Sequence, residues 1–218
     1  LTIKIPESSS QQEILDSVDM LNNNPDVDAF IVQLPLPDGI DENEVLLKID
    51  PAKDADGLTP HNLGKLLTGI YAPRPCTPYG IMEMLKEIDC DITGKQAVVV
   101  GRSNIVGKPI SIMLQQQHAT VTMCHSRTKN LPELLKTADL VVAATGQVEL
   151  IKGEDLQPGC IVIDVGMNYA NDKLVGDVDF ASACEKASWI TPVPGGVGPM
   201  TIAMLLKNCV DIALRKIN

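Results

Sequence analysis

The chain has 218 residues, 44% of them hydrophobic and 21% charged, with a net charge of −10. That length is enough for one large domain or two modest ones with a sizeable core. An acidic chain without a basic stripe argues against nucleic acid and anionic membrane as partners, and uninterrupted apolar runs such as Ala29–Val32 and Ala97–Val100 are strand-sized, far too short to span a bilayer. Six cysteines (Cys76, Cys90, Cys124, Cys160, Cys184 and Cys209) lie far apart with no C-x-x-C and no paired histidine. That spacing predicts a reduced cytoplasmic protein with free thiols, with neither a disulfide scaffold nor a metal site. Leu1 is not a start methionine and no signal or transit segment precedes the first element, so the chain is expected to open partway into a larger protein.

Apolar Ile14, Leu15, Val18 and Leu21 recur at helical spacing and predict a helix over 11–21, stopped at Asn22–Pro25 because Pro25 disfavours helical geometry before it. Residues 28–34 read as a buried strand closed by Pro35 and Pro37. Residues 41–49 read as a helix with Asp41 at its cap. From Pro51 to Pro78 five prolines and three glycines leave no clear periodicity, and a long irregular connection of this kind is usually functional or mobile. A helix over 79–87 follows. Beyond Gly94, five β-rich runs recur at about twenty-residue steps: 97–100, 120–124, 140–143, 161–165 and 189–193. Helical segments over 109–117 and 131–137 fit between the first of them. Strand–helix alternation of this kind predicts βαβ units and a doubly wound, parallel, Rossmann-like sheet. After Pro199 a last amphipathic helix runs to the end. The expected division is an incomplete α/β substrate domain over 1–90, to which the helix of 199–218 returns, and a dinucleotide-binding domain over 91–198.

Ligands of an open parallel sheet sit beyond the carboxyl ends of its strands. Here those ends read Gly101-Arg102-Ser103, His125-Ser126-Arg127, Ala144-Thr145-Gly146, Gly166-Met167 and Pro194-Gly195-Gly196. Small and polar residues at all five let a cofactor approach the backbone. Gly101 to Pro109 joins a strand to a helix, where amides and helix dipole favour a phosphate, although Ser103 stands where a G-x-G-x-x-G fingerprint has its second glycine. An NAD-binding fold usually carries an acid at the second strand end for the ribose 2′-hydroxyl. Residues 122–130 hold no acid, and offer Ser126 and Arg127 with Arg102 in reach from the first loop. A guanidinium and a hydroxyl suit a 2′-phosphate, so the expected cofactor is NADP. Solvated surface polars are the alternative for these residues. Neither His61 nor His125 has a nucleophile and carboxylate that can be argued beside it, so no catalytic histidine is assigned.

Four stretches resemble the methylenetetrahydrofolate dehydrogenase/cyclohydrolase family. Asp28-Ala-Phe-Ile-Val-Gln-Leu-Pro-Leu-Pro37 resembles its first signature, and Thr191-Pro-Val-Pro-Gly-Gly-Val-Gly-Pro-Met-Thr201 its second. Pro51-Ala-Lys-Asp-Ala-Asp-Gly57 and Gly101–Pro109 are similar to its middle motifs, and order and spacing agree from Asn22 to Ile217. The resemblance implies tetrahydrofolate one-carbon derivatives as substrates and two reactions, oxidation of the methylene compound with NADP and hydrolysis of the methenyl product. It implies catalytic-site roles for Gln33, a buried amide that donates and accepts while orienting the catalytic lysine and the one-carbon unit, and for Asp56, a carboxylate on the pterin ring. Substrate contacts are implied for Val32, Gln33, Leu34, Asp56, Pro194, Gly195 and Gly198. NADP contacts are implied for Gly101, Arg102, Ser103, Ser126, Arg127, Met167 and Thr201, Met167 replacing the isoleucine common in the family. A homodimer through the cofactor domains is implied as well. The family's catalytic Tyr-x-x-x-Lys helix has no match here, since Tyr71 and Tyr79 lack the lysine and Lys173, four residues after Tyr169, is expected in a loop. Two rivals stay open: another NADP-linked dehydrogenase of two-domain α/β build, acting for example on a small carbocyclic acid, and a dinucleotide-binding module without turnover.

Overall fold

The computed structural model describes residues 2–170 and 172–217; Leu1, the basis for expecting an upstream segment, lies outside them. The chain falls into two compact units, Leu1–Arg74 with Leu205–Asn218, and Pro75–Met204.

The second unit is built on five parallel strands: β1 (Gln96–Val100), β2 (Thr120–Cys124), β3 (Leu140–Ala143), β4 (Ile161–Asp164) and β7 (Trp189–Ile190), in the order β2-β1-β3-β4-β7. Alternate residues of each central strand enter two different cores, which is the period-2 geometry of a strand buried on both faces. Val99, Leu140, Val142 and Ile163 pack with Ile81 and Leu85 of helix α4 (Cys76–Glu87) and with Ile110 and Leu114 of α5 (Gly107–Gln116). Val98, Val141 and Val162 pack on the other side with Leu135 of α6 (Leu131–Leu135) and Ala183 of α7 (Phe180–Cys184). The doubly wound parallel sheet expected from the repeat of apolar runs is therefore present, with the strand-order reversal between β1 and β3. That reversal is where such sheets open a ligand crevice. A short antiparallel hairpin, β5 (Asn168–Ala170) with β6 (Lys173–Val175), was not anticipated, its strands being three residues long and without a buried face.

The first unit is helical. Helix α1 (Gln11–Asn23) starts at a capping box in which the Ser10 amide donates to Glu13 Oε2 at 2.8 Å and the Glu13 amide donates to Ser10 Oγ at 3.3 Å. Helix α2 (Glu42–Lys48) has Asp41 at its cap, as expected, accepting from the amides of Asn43 and Glu44. The two share a small core of Ile14, Leu15, Val18, Val45 and Ile49, onto which Phe30, Val32 and Leu36 pack. The strand expected over 28–34 reduces to a single parallel bridge, Phe30 to Asp54, because only the Phe30 carbonyl and amide find ladder partners, in the Ala55 amide (3.2 Å) and the Lys53 carbonyl (3.0 Å). Within the irregular 51–78 stretch lies a helix the sequence reading missed, α3 (Pro60–Leu67), with Thr59 capping and Pro60 in the first turn.

Helix α8 (Val197–Ile217) begins in the second unit and ends in the first. The structure draws the division after Arg74, so α4, assigned by sequence to the first domain, packs instead on the sheet through Ile81 and Leu85. By length and composition α8 is long and apolar enough to cross a membrane, although no uninterrupted apolar run is. Its first-unit part is held by polar contacts: Asn208 is buried and donates to the carbonyls of Ala55 and Arg74, each at 2.8 Å, and Lys216 pairs with Asp28 at 2.9 Å.

Candidate active site

The carboxyl end of β1 turns at Gly101, whose φ of +131° disfavours any side chain and whose missing Cβ leaves room for the Ala144 carbonyl at the end of β3. Gly107 packs in the same way on the Gly101 carbonyl. Strand, loop and helix are thus pressed backbone to backbone. Ser103 has a definite place in this turn. Its hydroxyl accepts from the amides of Val106 (3.1 Å) and Gly107 (3.4 Å), so it does inside the loop what a phosphate-binding glycine could not. Arg102 stands exposed beside it. At the end of β2 the His125 amide donates to Thr128 Oγ1 (2.9 Å) and the Arg127 amide donates to His125 Nδ1 (3.1 Å). That tight turn presents Ser126 and Arg127 to solvent, and it gives His125 a structural task. A backbone cradle closed to side chains, with a guanidinium and hydroxyl at the next strand end and no acid among residues 122–130, fits an NADP 2′-phosphate.

The remaining strand ends also carry the expected residues. Met167 is 73% exposed. Pro194, Gly195 and Gly198 are exposed after a cis Val193–Pro194 bond, and Thr201 shares a 2.9 Å hydrogen bond with Thr77. Beneath three of these ends are two buried carboxylates that the sequence reading passed over. Asp177, fully buried, accepts from the amides of Thr145, Gly146 (3.1 Å) and Gln147 (3.1 Å) and from Asn168 Nδ2 (2.9 Å). Asp164 accepts from the amides of Gly166 (2.8 Å), Asp177 (2.9 Å) and Val178 (3.0 Å), while its own amide donates to Thr191 Oγ1 (2.8 Å). Burial raises the Asp164 carboxyl above the usual range; the amides pull it back and the Asp177 charge adds to the rise.

In the first unit a third buried carboxylate does similar work. Asp54 accepts from the amides of Gly57 (2.9 Å), Leu58 (3.3 Å) and Thr59 (2.9 Å) and from Asn62 Nδ2 (2.9 Å). This wraps the loop around its side chain and leaves Asp56 at the turn, half-buried. Gly57 (φ +69°) lies where a Cβ would strike the Pro73–Arg74 backbone. Asp56 sits close enough to α8 for its charge to add to the upward shift that burial gives Cys209. The Phe30–Asp54 bridge sets the 30–36 segment beside this loop. Val32 and Leu34 are half-buried there, and Gln33 is exposed, where a buried amide was expected, with its Nε2 donating to the Leu34 carbonyl at 3.0 Å. Gln33 and Asp56 therefore belong to one unit, and the NADP candidates with Pro194, Gly195, Gly198 and Thr201 to the other.

Tyr169 and Lys173 fall on the two strands of the β5–β6 hairpin, so they form no helical Tyr-x-x-x-Lys pair and Lys173 is in a strand where a loop was expected. Among the described residues no group of three or more His, Cys, Asp or Glu is placed to hold a metal. A groove of about 450 Å³ lined by Asp91, Lys95, Asp139 and Trp189 lies at the amino ends of β1, β3 and β7, away from their carboxyl ends.

Sheet order and strand-end chemistry define a dinucleotide-binding α/β protein with a second loop suited to NADP. Comparison with known proteins narrows the class. The tetrahydrofolate dehydrogenase/cyclohydrolase catalytic domain matches residues 1–56, and the NAD(P)-binding domain of the same family matches residues 75–217. The "Bifunctional protein FolD" of Magnetococcus marinus is 56% identical over 216 residues, covering 99% of this chain and 76% of that protein. Among solved structures, FolD of Campylobacter jejuni (TM-score 0.95, 47% identity) is matched over 96% of this chain and 75% of its own. FolD of Trypanosoma brucei, complexed with NADP cofactor and inhibitor, is matched at TM-score 0.96 and 40% identity over 100% of this chain and 77% of its own. The chain belongs to the tetrahydrofolate dehydrogenase/cyclohydrolase family.

Proposed function

We propose that this protein oxidises 5,10-methylenetetrahydrofolate to the 5,10-methenyl compound with NADP, and hydrolyses the methenyl compound to 10-formyltetrahydrofolate. The observation that carries the reading is the occurrence, in one chain, of both family domains, the second on a sheet whose β2 end offers Ser126 and Arg127 with no acid. NADP, when bound, accepts the hydride.

The chain's own residues bind and orient. Gly101, Arg102, Ser103, Ser126, Arg127, Met167 and Thr201 hold the dinucleotide, with Arg127 and Ser126 on the 2′-phosphate. Asp56 accepts from the pterin ring N–H groups, held by a loop that is itself held by Asp54. Gln33 orients the one-carbon unit with Val32 and Leu34, and Pro194, Gly195 and Gly198 line the folate through backbone. Rate enhancement from such a site comes chiefly from alignment of two reactants. The first unit is the folate side and the second the NADP side. The six free cysteines and the acidic surface support a cytoplasmic protein, and the family resemblance supports a homodimer.

The test is a spectrophotometric assay of the full gene product with 5,10-methylenetetrahydrofolate and either NADP or NAD. Turnover favouring NADP is expected. Turnover favouring NAD would overturn the account of Ser126 and Arg127, and no turnover from folded protein would overturn the folate assignment.

A further inference from the structure

We infer that Asp177, seated on Asp164, is a positioning residue for the NADP-binding strand ends: it shapes the backbone that the cofactor meets while touching no ligand itself. The inference rests on the NADP reading above.

The hydrogen bonds make Asp177 a hub. Its two oxygens take four donors, three of them successive amides of Thr145, Gly146 and Gln147 after β3, and the fourth Asn168 Nδ2 after β4. An ionised carboxylate has about four acceptor sites, so this set saturates it. An asparagine of the same shape would accept at one oxygen and turn an NH₂ against amides that also donate. The donors lie 30–32 residues away at Thr145 to Gln147 and nine away at Asn168, so no local turn explains them. Asp177 is held in turn by its neighbour, since its backbone amide donates to Asp164 Oδ1, which also receives the Gly166 amide. Asp164 in turn reaches β7, through its amide on Thr191 Oγ1. Gly176 leaves the space that the Asp164 carboxylate fills; any Cβ there would overlap it. One buried network therefore fixes the ends of β3, β4 and β7, three of the five that compose the cofactor side of the sheet. The Ala144 carbonyl, one residue before the three amides, is the surface on which Gly101 rests, so the β1 turn is seated on the same loop. Two buried carboxylates beside each other are costly to fold, and a fold that needed only to close these loops could use neutral groups. Their presence is accounted for when the β3 loop must be held in one conformation for a ligand.

The experiment compares full-length wild type, Asp177→Asn and Asn168→Ala. Asp177→Asn is expected to raise the KM for NADP and the calorimetric Kd for NADPH by roughly 10- to 100-fold, because the loop after β3 loses its charge-assisted hydrogen bonds. It should lower the ratio of dehydrogenase to cyclohydrolase activity at sub-saturating NADP by at least tenfold, and in ligand-free protein it should speed hydrogen exchange of the Thr145, Gly146 and Gln147 amides. Asn168→Ala, which leaves the carboxylate in place, is expected to raise the KM by only a few fold and serves if Asp177→Asn fails to fold. Equal loss of both activities with KM for NADP unchanged would mean that Asp177 is merely structural and would overturn the inference, as would wild-type KM and exchange in both variants. Absence of NADP-linked turnover in the wild type would instead overturn the functional reading.

Discussion

Two loops in this protein are shaped by the same device in very different settings. Around Asp54 and around Asp177, a fully buried carboxylate gathers three backbone amides and one asparagine side chain. At Asp54 the donors come from residues three to eight positions ahead, and the loop closes on itself within a unit that has only a small helical core and one β-bridge. At Asp177 three of them come from the loop after β3, 30–32 residues back, and the fourth from Asn168 after β4, in a unit whose five-stranded sheet has a core on each face. The comparison separates two uses of one interaction. The local version substitutes for missing regular structure, so stability depends on it. The long-range version adds register to a unit that is already well packed, so ligand geometry depends on it. The first should therefore fail in stability before binding, and the second in binding before stability.

The largest effect is expected from Asp54→Ala. Removing the carboxylate leaves three buried backbone amides without an acceptor and takes one of two from Asn62 Nδ2, and each buried group left unsatisfied costs about 1–3 kcal/mol. Chemical denaturation followed by hydrogen exchange should show the protection of the 55–62 amides lost first, with those of β1 and β3 retained. If instead the whole chain kept its denaturation midpoint, the local version would not be the one on which stability depends. Gly101→Ala comes next. The added methyl meets the Ala144 carbonyl, a backbone group with little freedom to move, at a φ of +131°. Overpacking of this kind costs about 1–3 kcal/mol, and it pushes on the loop that Asp177 holds. A fall in melting temperature together with a raised KM for NADP is expected; a fall in melting temperature alone would detach the β1 turn from the cofactor.

How far the sequence foretold these regions follows the same division. Strands β1, β3 and β4 were legible because a parallel strand buried on both faces is a short continuous apolar run, and Ala97–Val100, Leu140–Ala143 and Ile161–Ile163 are such runs, while the half-exposed β2 was legible from its β-branched Thr120, Val121 and Thr122. The small strand-end residues were legible because position alone, after each run, marks them. Helix α3 was missed since Pro60 and Gly64 read as loop chemistry, although Thr59-Pro60 is also a helix start. The 28–34 strand was over-read: Ala29–Val32 is apolar, but a strand needs a partner, and Phe30 finds one residue of it. Asp54, Asp164 and Asp177 were invisible for a deeper reason. An aspartate becomes a buried acceptor only when the fold brings donors to it, and at Asp177 three of the four lie thirty or more residues back. Likewise nothing in the sequence distinguishes Asn208 from a solvated helix residue until Ala55 and Arg74 are seen beside it.

Arg127→Glu should sharpen the contrast from the ligand's side. The residue is exposed, so stability should change little. Replacing a charge-assisted contact with a repelling carboxylate should weaken NADP by roughly 10- to 100-fold while leaving NAD, which has no 2′-phosphate, as it was or better. Steady-state kinetics with both cofactors read this directly. Equal losses for NADP and NAD would show that Arg127 supports the turn and does not recognise the phosphate.

The smallest effect is on thiol chemistry, and it reports which parts of the second unit open. Cys184 is exposed on α7, while Cys160 is buried at the foot of β4 and burial pushes its thiol up to about 11. The thiolate is the reactive form, so at pH 8 a disulfide reagent should label Cys184 promptly in native protein. Cys160 should wait for unfolding of the sheet. Because its value is raised in the fold, the protonated thiol is the favoured native form. The stability this confers is complete below the ordinary thiol value and is lost as pH climbs through about 11. At pH 9, still below that value, Cys160 should remain limited by opening. Cys160 labelling much faster than the global unfolding rate would show that the second unit opens locally at β4, against the view that its sheet is the settled part of the molecule and its strand-end loops the adjustable one.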